Sequence, residues 1–143
     1  MPGIRTETRI AASPERCWEI LTDFDRYPDW SSDIKAVNIV ERDDLGRPTR
    51  VAFRAGAFGR STSLTLAYDY SQAPKGLSWV QEDGDLTRRY DGSYTFEPAG
   101  EETEVTYQLT VELKVPLPGF IKRRAESRIV GGALRELKAR AEA

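Results

Sequence analysis

"LTRRYDGSYTFEPAGEETEVTYQLTVELKV", residues 86–115, consists of two alternating runs around a turn. In the second run Val105, Tyr107, Leu109, Val111 and Leu113 share one side, with Thr106, Gln108, Thr110 and Glu112 on the other. A period of two is that of a strand, whose successive side chains point to opposite faces. The first run groups Leu86, Tyr90, Tyr94 and Phe96, places Arg88 on that same side, and turns Arg89 and Asp91 outward. "PAGEE" between them is turn chemistry, so the stretch reads as a long antiparallel hairpin with one buried face.

Upstream, the same alternation recurs in "DIKAVNIVE", "TRVAFRAGA", "STSLTLAYDY" and "GLSWVQED", separated by "DDLGRP", "AFGR", "SQAPKG" and "EDGD". None of these separators is long enough for a crossover helix, so the strands are expected to pair antiparallel as a meander. "GIRTETRIAA" reads as a further strand at the start. Between it and the meander, Ser13 can cap a helix whose first position is Pro14, with Cys17, Trp18, Ile20 and Leu21 as its apolar positions. Pro28 is expected to stop a second short helical turn. After the last strand comes one long helix. The expected class is α+β: a seven-stranded antiparallel curved sheet wrapped around a long C-terminal helix, with two short helices after the first strand. Residues 1–143 are read as one domain, since a chain of this length buries roughly 70% of its unfolded surface.

Composition excludes several kinds of chemistry. The chain has no histidine and one cysteine, Cys17. A serine or cysteine nucleophile activated by histidine is therefore ruled out, as is a zinc site built on histidine or on cysteines. No Gly-rich phosphate cradle occurs. No cofactor and no metal are expected, and no catalytic residue is assigned. A lone cysteine cannot form an intrachain disulfide, no run approaches a membrane span, and the N-terminus lacks the apolar stretch of a signal peptide. The expected location is the cytoplasm, without stable membrane insertion. Charge is uneven: from Leu117 onward there are seven basic and three acidic residues, in a chain of net charge −2. A basic helix can be a solvated face, or can meet anionic lipid or RNA; no nucleic-acid partner is expected, and the assembly is read as a monomer or homodimer.

The inner face of the sheet is rich in tyrosine. Leu64, Leu66, Tyr68 and Tyr70 form one row, Leu77 and Trp79 another, Val51 and Phe53 a third. A helix covers a strip only about 10 Å wide, whereas seven strands at 4.8 Å each span roughly 30 Å. Unless large side chains fill the gap, a hollow remains, lined by amphipathic aromatics that orient a mostly apolar ligand.

"ASPERCWEILTDFDRYPDW", "WVQEDGD", "YDGSYTFEP", "TEVTYQLTVEL" and "VPLPGFIKRRAESRIVGGALRELKARAE" together resemble the polyketide cyclase/dehydrase and lipid-transport branch of the START-like (SRPBCC, Bet v 1-like) superfamily. The resemblance covers nearly the whole chain and implies a helix-grip fold with a hydrophobic cavity. It matches Trp30 to a tryptophan near the cavity mouth and Trp79 to an aromatic inside the sheet. In the aromatic cyclases of this superfamily an arginine and tyrosines in the cavity are thought to polarise a poly-β-ketone, a set that Arg88 with Tyr90, Tyr68 or Tyr107 would imitate. "STSLTLAYDY" departs from those cyclases, having no inward arginine or tryptophan. The candidate ligand-contacting residues are Trp30, Phe53, Leu66, Tyr68, Trp79, Arg88, Tyr90, Tyr94, Tyr107, Leu109, Ile121, Ala125, Ile129 and Gly132. The expected function is binding of a hydrophobic small molecule (a lipid, quinone or polyketide-like compound), with a polyketide cyclase or dehydratase as the alternative.

In the long helix, Leu117, Ile121, Ala125 and Ile129 form one apolar stripe, and Val130, Ala133, Leu134, Leu137 and Ala141 another, turned by more than a quarter circle. Gly131 and Gly132 lie between them. Glycine pairs are a site of kinks, so a bend or irregular turn is expected there. The missing side chain of Gly132 is expected to enlarge the cavity or admit a strand.

Overall fold

In the computed structural model, which describes residues 3–57 and 60–143, the alternating runs are seven strands. They are β1 (Ile4–Ile10), β2 (Ile34–Arg42), β3 (Pro48–Ala57), β4 (Arg60–Asp69), β5 (Gly76–Gly84), β6 (Thr87–Ala99) and β7 (Glu102–Leu113). The expected "AFGR" turn between β3 and β4 includes Phe58 and Gly59, which lie outside the described residues. Strands β2 to β7 form the antiparallel meander, and β1 joins it beside β7, giving the order β1-β7-β6-β5-β4-β3-β2. Thr8 faces Val105 and Tyr94 faces Tyr107, so the inward rows stay in step across three strands.

The segment after β1 carries the chain from one sheet edge to the other. Ser13 accepts a hydrogen bond from the Arg16 N–H at 3.1 Å, and Pro14 occupies the first turn of α1 (Pro14–Thr22). A 3₁₀ turn (Phe24–Arg26) leads into α2 (Tyr27–Trp30). Pro28 lies in the first turn of α2, so it starts this helix rather than stopping it, a position where its missing N–H costs nothing.

The long helix, α3 (Gly119–Glu142), differs from expectation. It is unbroken α-helix through Gly131 and Gly132, without an irregular turn. Its buried residues are Glu126, Val130, Leu134, Leu137 and Ala141, a single stripe that passes both glycines without changing face. The stripe continues toward the N-terminus through Glu126, a residue that hydrophobic patterning skips, while Leu117 and Ile121 are exposed. A Cβ on Gly132 would meet only the Arg135 guanidinium, at 3.8 Å, and one on Gly131 the same group at 3.3 Å. Among the described residues no strand comes within 4 Å of either position, so none of them requires a glycine there.

Candidate functional site

Between the inner face of the sheet, α2 and α3 lies a cavity of about 110 Å³. Its base is aromatic. Trp79 on β5 lies 5.8 Å, centroid to centroid, from both Tyr94 and Tyr107, which are 4.3 Å from each other. Tyr68 on β4 closes the group 5.7 Å from Trp79. One glycine makes this stacking possible: Gly92 on β6 pairs with Trp79, and a Cβ there would meet the indole Cζ2 and the Gln108 carbonyl oxygen, each at 2.6 Å. The indole thus lies across bare backbone. At the other end, Tyr27 and Trp30 of α2 meet edge to face at 5.2 Å, and Tyr27 stacks on Phe53.

Nine of the expected residues surround this space: Trp30, Phe53, Leu66, Tyr68, Trp79, Tyr90, Tyr94, Tyr107 and Ile129. The other five do not line it. Leu109 is buried in the core away from the cavity, and Ile121 is exposed because the first turns of α3 lie beyond the buried stripe. Ala125 and Gly132 are half-buried on α3 but outside the wall. Arg88 is exposed, and its inward register is corrected by a β-bulge: Thr87 pairs with Leu113 but Tyr90 with Val111, so three steps on β6 match two on β7. Thr87, 1% exposed, takes the inward place instead. Gln81 holds the bulge, donating from Nε2 to the Thr87 carbonyl at 2.8 Å and accepting from its hydroxyl.

Residues that patterning missed complete the wall. Ala133 and Glu136 follow Ile129 at helical spacing, a signal present in the sequence but hidden by the polarity of Glu136. Tyr27 and Ser31 come from the crossing after α1, where no strand period exists to read, and Asp33 and Ile34 from the very start of the β2 run, where no inward row was assigned. Glu136 also ties the mouth, its Oε2 accepting the Ser32 N–H at 3.2 Å.

The polar character of the cavity is specific. Burial holds the hydroxyls of Tyr27, Tyr68, Tyr94 and Tyr107 well above the ordinary tyrosine pKa. Burial also pushes Tyr90 up to about 12, against a hydrogen bond from Tyr107 that pulls the other way. All are neutral at pH 7, able to donate but not to act as phenolate bases. The indole Nε1 atoms of Trp30 and Trp79 are buried and have no acceptor among the described residues. No arginine or lysine is among the described wall residues, and its carboxylates are Asp33 and Glu136 at the mouth. No cluster of three metal-ligating residues occurs among the described residues, and no helix among them is long and apolar enough to cross a membrane.

A seven-stranded antiparallel sheet gripping one long C-terminal helix is the helix-grip fold of START-like proteins. The chain matches the family of polyketide cyclase/dehydrase and lipid transport proteins over residues 1–142, and it belongs to that family. It is similar to a START superfamily protein from Mycobacterium smegmatis, with 26% identity and a TM-score of 0.94, covering 99% of this chain and 98% of that one. A protein from Thermus thermophilus is 25% identical with a TM-score of 0.83, over 98% and 97% of the two chains. The ZhuI aromatase/cyclase from Streptomyces sp. R1128 shares the fold at 16% identity and a TM-score of 0.83, over 98% and 93%. No curated protein sequence matches significantly.

Proposed function

We propose that this protein binds a neutral, ring-containing apolar molecule that carries an acceptor oxygen, such as a quinone or an aromatic ketone. The observation that carries the reading is the pair of buried indole N–H groups, on Trp30 and Trp79, that have no partner among the described residues and belong to the wall of an aromatic cavity. An unmet buried donor costs about 1–3 kcal/mol, a cost that a ligand carbonyl would remove. A carboxylate ligand is disfavoured, because the described wall offers no cation and the mouth carries Asp33 and Glu136. The size is that of one ring: an engineered apolar cavity of roughly 150 Å³ binds benzene. A longer lipid would need the Ser32–Glu136 contact at the mouth to open. Binding is favoured over cyclase or dehydratase chemistry because Arg88, the cation of the expected polarising set, is exposed and outside the wall.

The test follows the three indole N–H resonances by NMR during titration with acetophenone, ethylbenzene and benzoate. Trp18 is the internal control, since it packs on Tyr70 and Phe96 away from the cavity. The ketone is expected to move the Trp30 and Trp79 signals downfield and leave Trp18 in place. Ethylbenzene should bind more weakly and benzoate not at all. Benzoate binding as tight as the ketone, or a ketone response confined to Trp18, would overturn the reading.

A further inference from the structure

Residues 114–128 combine two features, exposed large apolar side chains and cations unpaired among the described residues. Val115, Leu117, Phe120 and Ile121, within seven residues of sequence, are large apolar side chains 65, 38, 60 and 41% exposed. The same segment holds Lys114, Lys122, Arg123, Arg124 and Arg128, and its one acidic residue, Glu126, is buried. Among the described residues none of these five cations is in an ion pair, whereas Arg9, Arg47, Arg50, Arg89 and Lys138 all are. On α3, Phe120, Arg124, Arg128 and Ile121 fall within an arc of roughly 100°, on the side opposite Glu126. Apolar and cationic side chains therefore face outward together.

We propose that this face docks the protein on an anionic lipid surface, with Leu117, Phe120 and Ile121 entering the headgroup region and the flanking arginines meeting lipid phosphates. Charge complementarity selects this partner. A second copy of the chain would bring the same cations against one another across a two-fold axis. Single-stranded RNA needs stacking platforms, and only Phe120 of the four apolar residues is aromatic. The helix is too polar to cross a bilayer, so the contact is interfacial. The loop leading into this face is tied to the strand that carries a wall residue: the Lys114 N–H donates to the Leu86 carbonyl at 3.0 Å, one residue before Thr87. The proposal does not depend on the cavity's holding a ligand.

Co-sedimentation with vesicles tests it, using pure phosphatidylcholine and an equal mixture of phosphatidylcholine and phosphatidylglycerol. Binding is expected only to the anionic vesicles and should weaken with salt. Arg124→Gln with Arg128→Gln should lower partitioning roughly 30-fold, since each basic residue near such a surface contributes about 1 kcal/mol. Phe120→Ser with Ile121→Ser should weaken it as well, with the circular dichroism of both variants unchanged because all four side chains are exposed. The proposal fails if wild type ignores the anionic vesicles, or if either double variant binds them like wild type. It fails too if polyuridylate binds tightly without regard to Phe120 and Ile121, or if the serine variant's only effect is to dissociate a dimer.

Discussion

The Glu126 carboxylate of α3, 2% exposed, accepts the backbone N–H of Val111 on β7 at 3.1 Å. Strand β1 pairs with β7 only as far as Leu109, so the helix supplies an acceptor just past the point where β1 starts. Glu126→Ala leaves that buried amide unmet and is expected to destabilise the fold by about 1–3 kcal/mol. Glu126→Gln keeps a carbonyl acceptor and should cost less. Urea denaturation of Glu126→Gln beside Glu126→Met, which fills similar space without a carbonyl acceptor, distinguishes a hydrogen-bonding role from simple packing, which would make those two variants alike.

Gly92 is where the cavity base is most sensitive. Gly92→Ala places a methyl against the Gln108 carbonyl oxygen and the Trp79 indole, so strand or ring must move. A loss on the order of 1–3 kcal/mol is expected, with an altered near-UV spectrum as Trp79 reorients. An unchanged spectrum would mean that the indole does not rest on this glycine.

Gly131 and Gly132 are opposite in character. Among the described residues, only the flexible end of Arg135 lies near either Cβ position. Gly132→Ala should therefore stabilise α3 by up to about 1 kcal/mol, raising the melting temperature by roughly 3 °C. A fall would indicate a constraint on the helix axis at this point.

At the cavity mouth, Glu136→Ala removes the acceptor of the Ser32 N–H. Amide exchange at Ser32 should speed up by about fivefold, equivalent to losing roughly 1 kcal/mol of protection, while exchange in β6 and β7 stays unchanged.

The six tyrosines set the alkaline limit of the fold. Burial raises all of them, with Tyr70 and Tyr90 at about 12 and Tyr27, Tyr68, Tyr94 and Tyr107 well above the ordinary value of 10.0. A folded pKa above the unfolded one gives a contribution that is full below pH 10 and lost as pH rises through the folded values. Absorbance at the phenolate band should stay flat through the normal tyrosine range. It should then rise steeply together with loss of far-UV structure. A smooth, independent titration near pH 10 would contradict the burial of these hydroxyls.

Most of the sheet was legible because alternation is local: each strand from β2 to β7 lies within a residue or two of its alternating run, and Ser13 with Pro14 marked the start of α1. The candidate site was legible where it is built from inward strand positions, as with Phe53, Leu66, Tyr68, Trp79, Tyr94 and Tyr107. It was illegible where one extra residue changes parity. Arg88 and Tyr90 have the same sequence parity, yet the bulge at Thr87 and Arg88 depends on pairing with Leu113, Glu112 and Val111 some two dozen residues away.

The sequence by itself determined the number and order of the elements, the buried rows of β3, β4, β5 and β7 and the absence of histidine chemistry, since these follow from period and composition within short windows. Only the tertiary structure decided which charged residue goes inside. Arg88 is turned out by strand register and Glu126 is drawn in by an amide at the end of a strand pair. Both outcomes turn on backbone hydrogen bonds between distant segments, which no local pattern of side chains encodes.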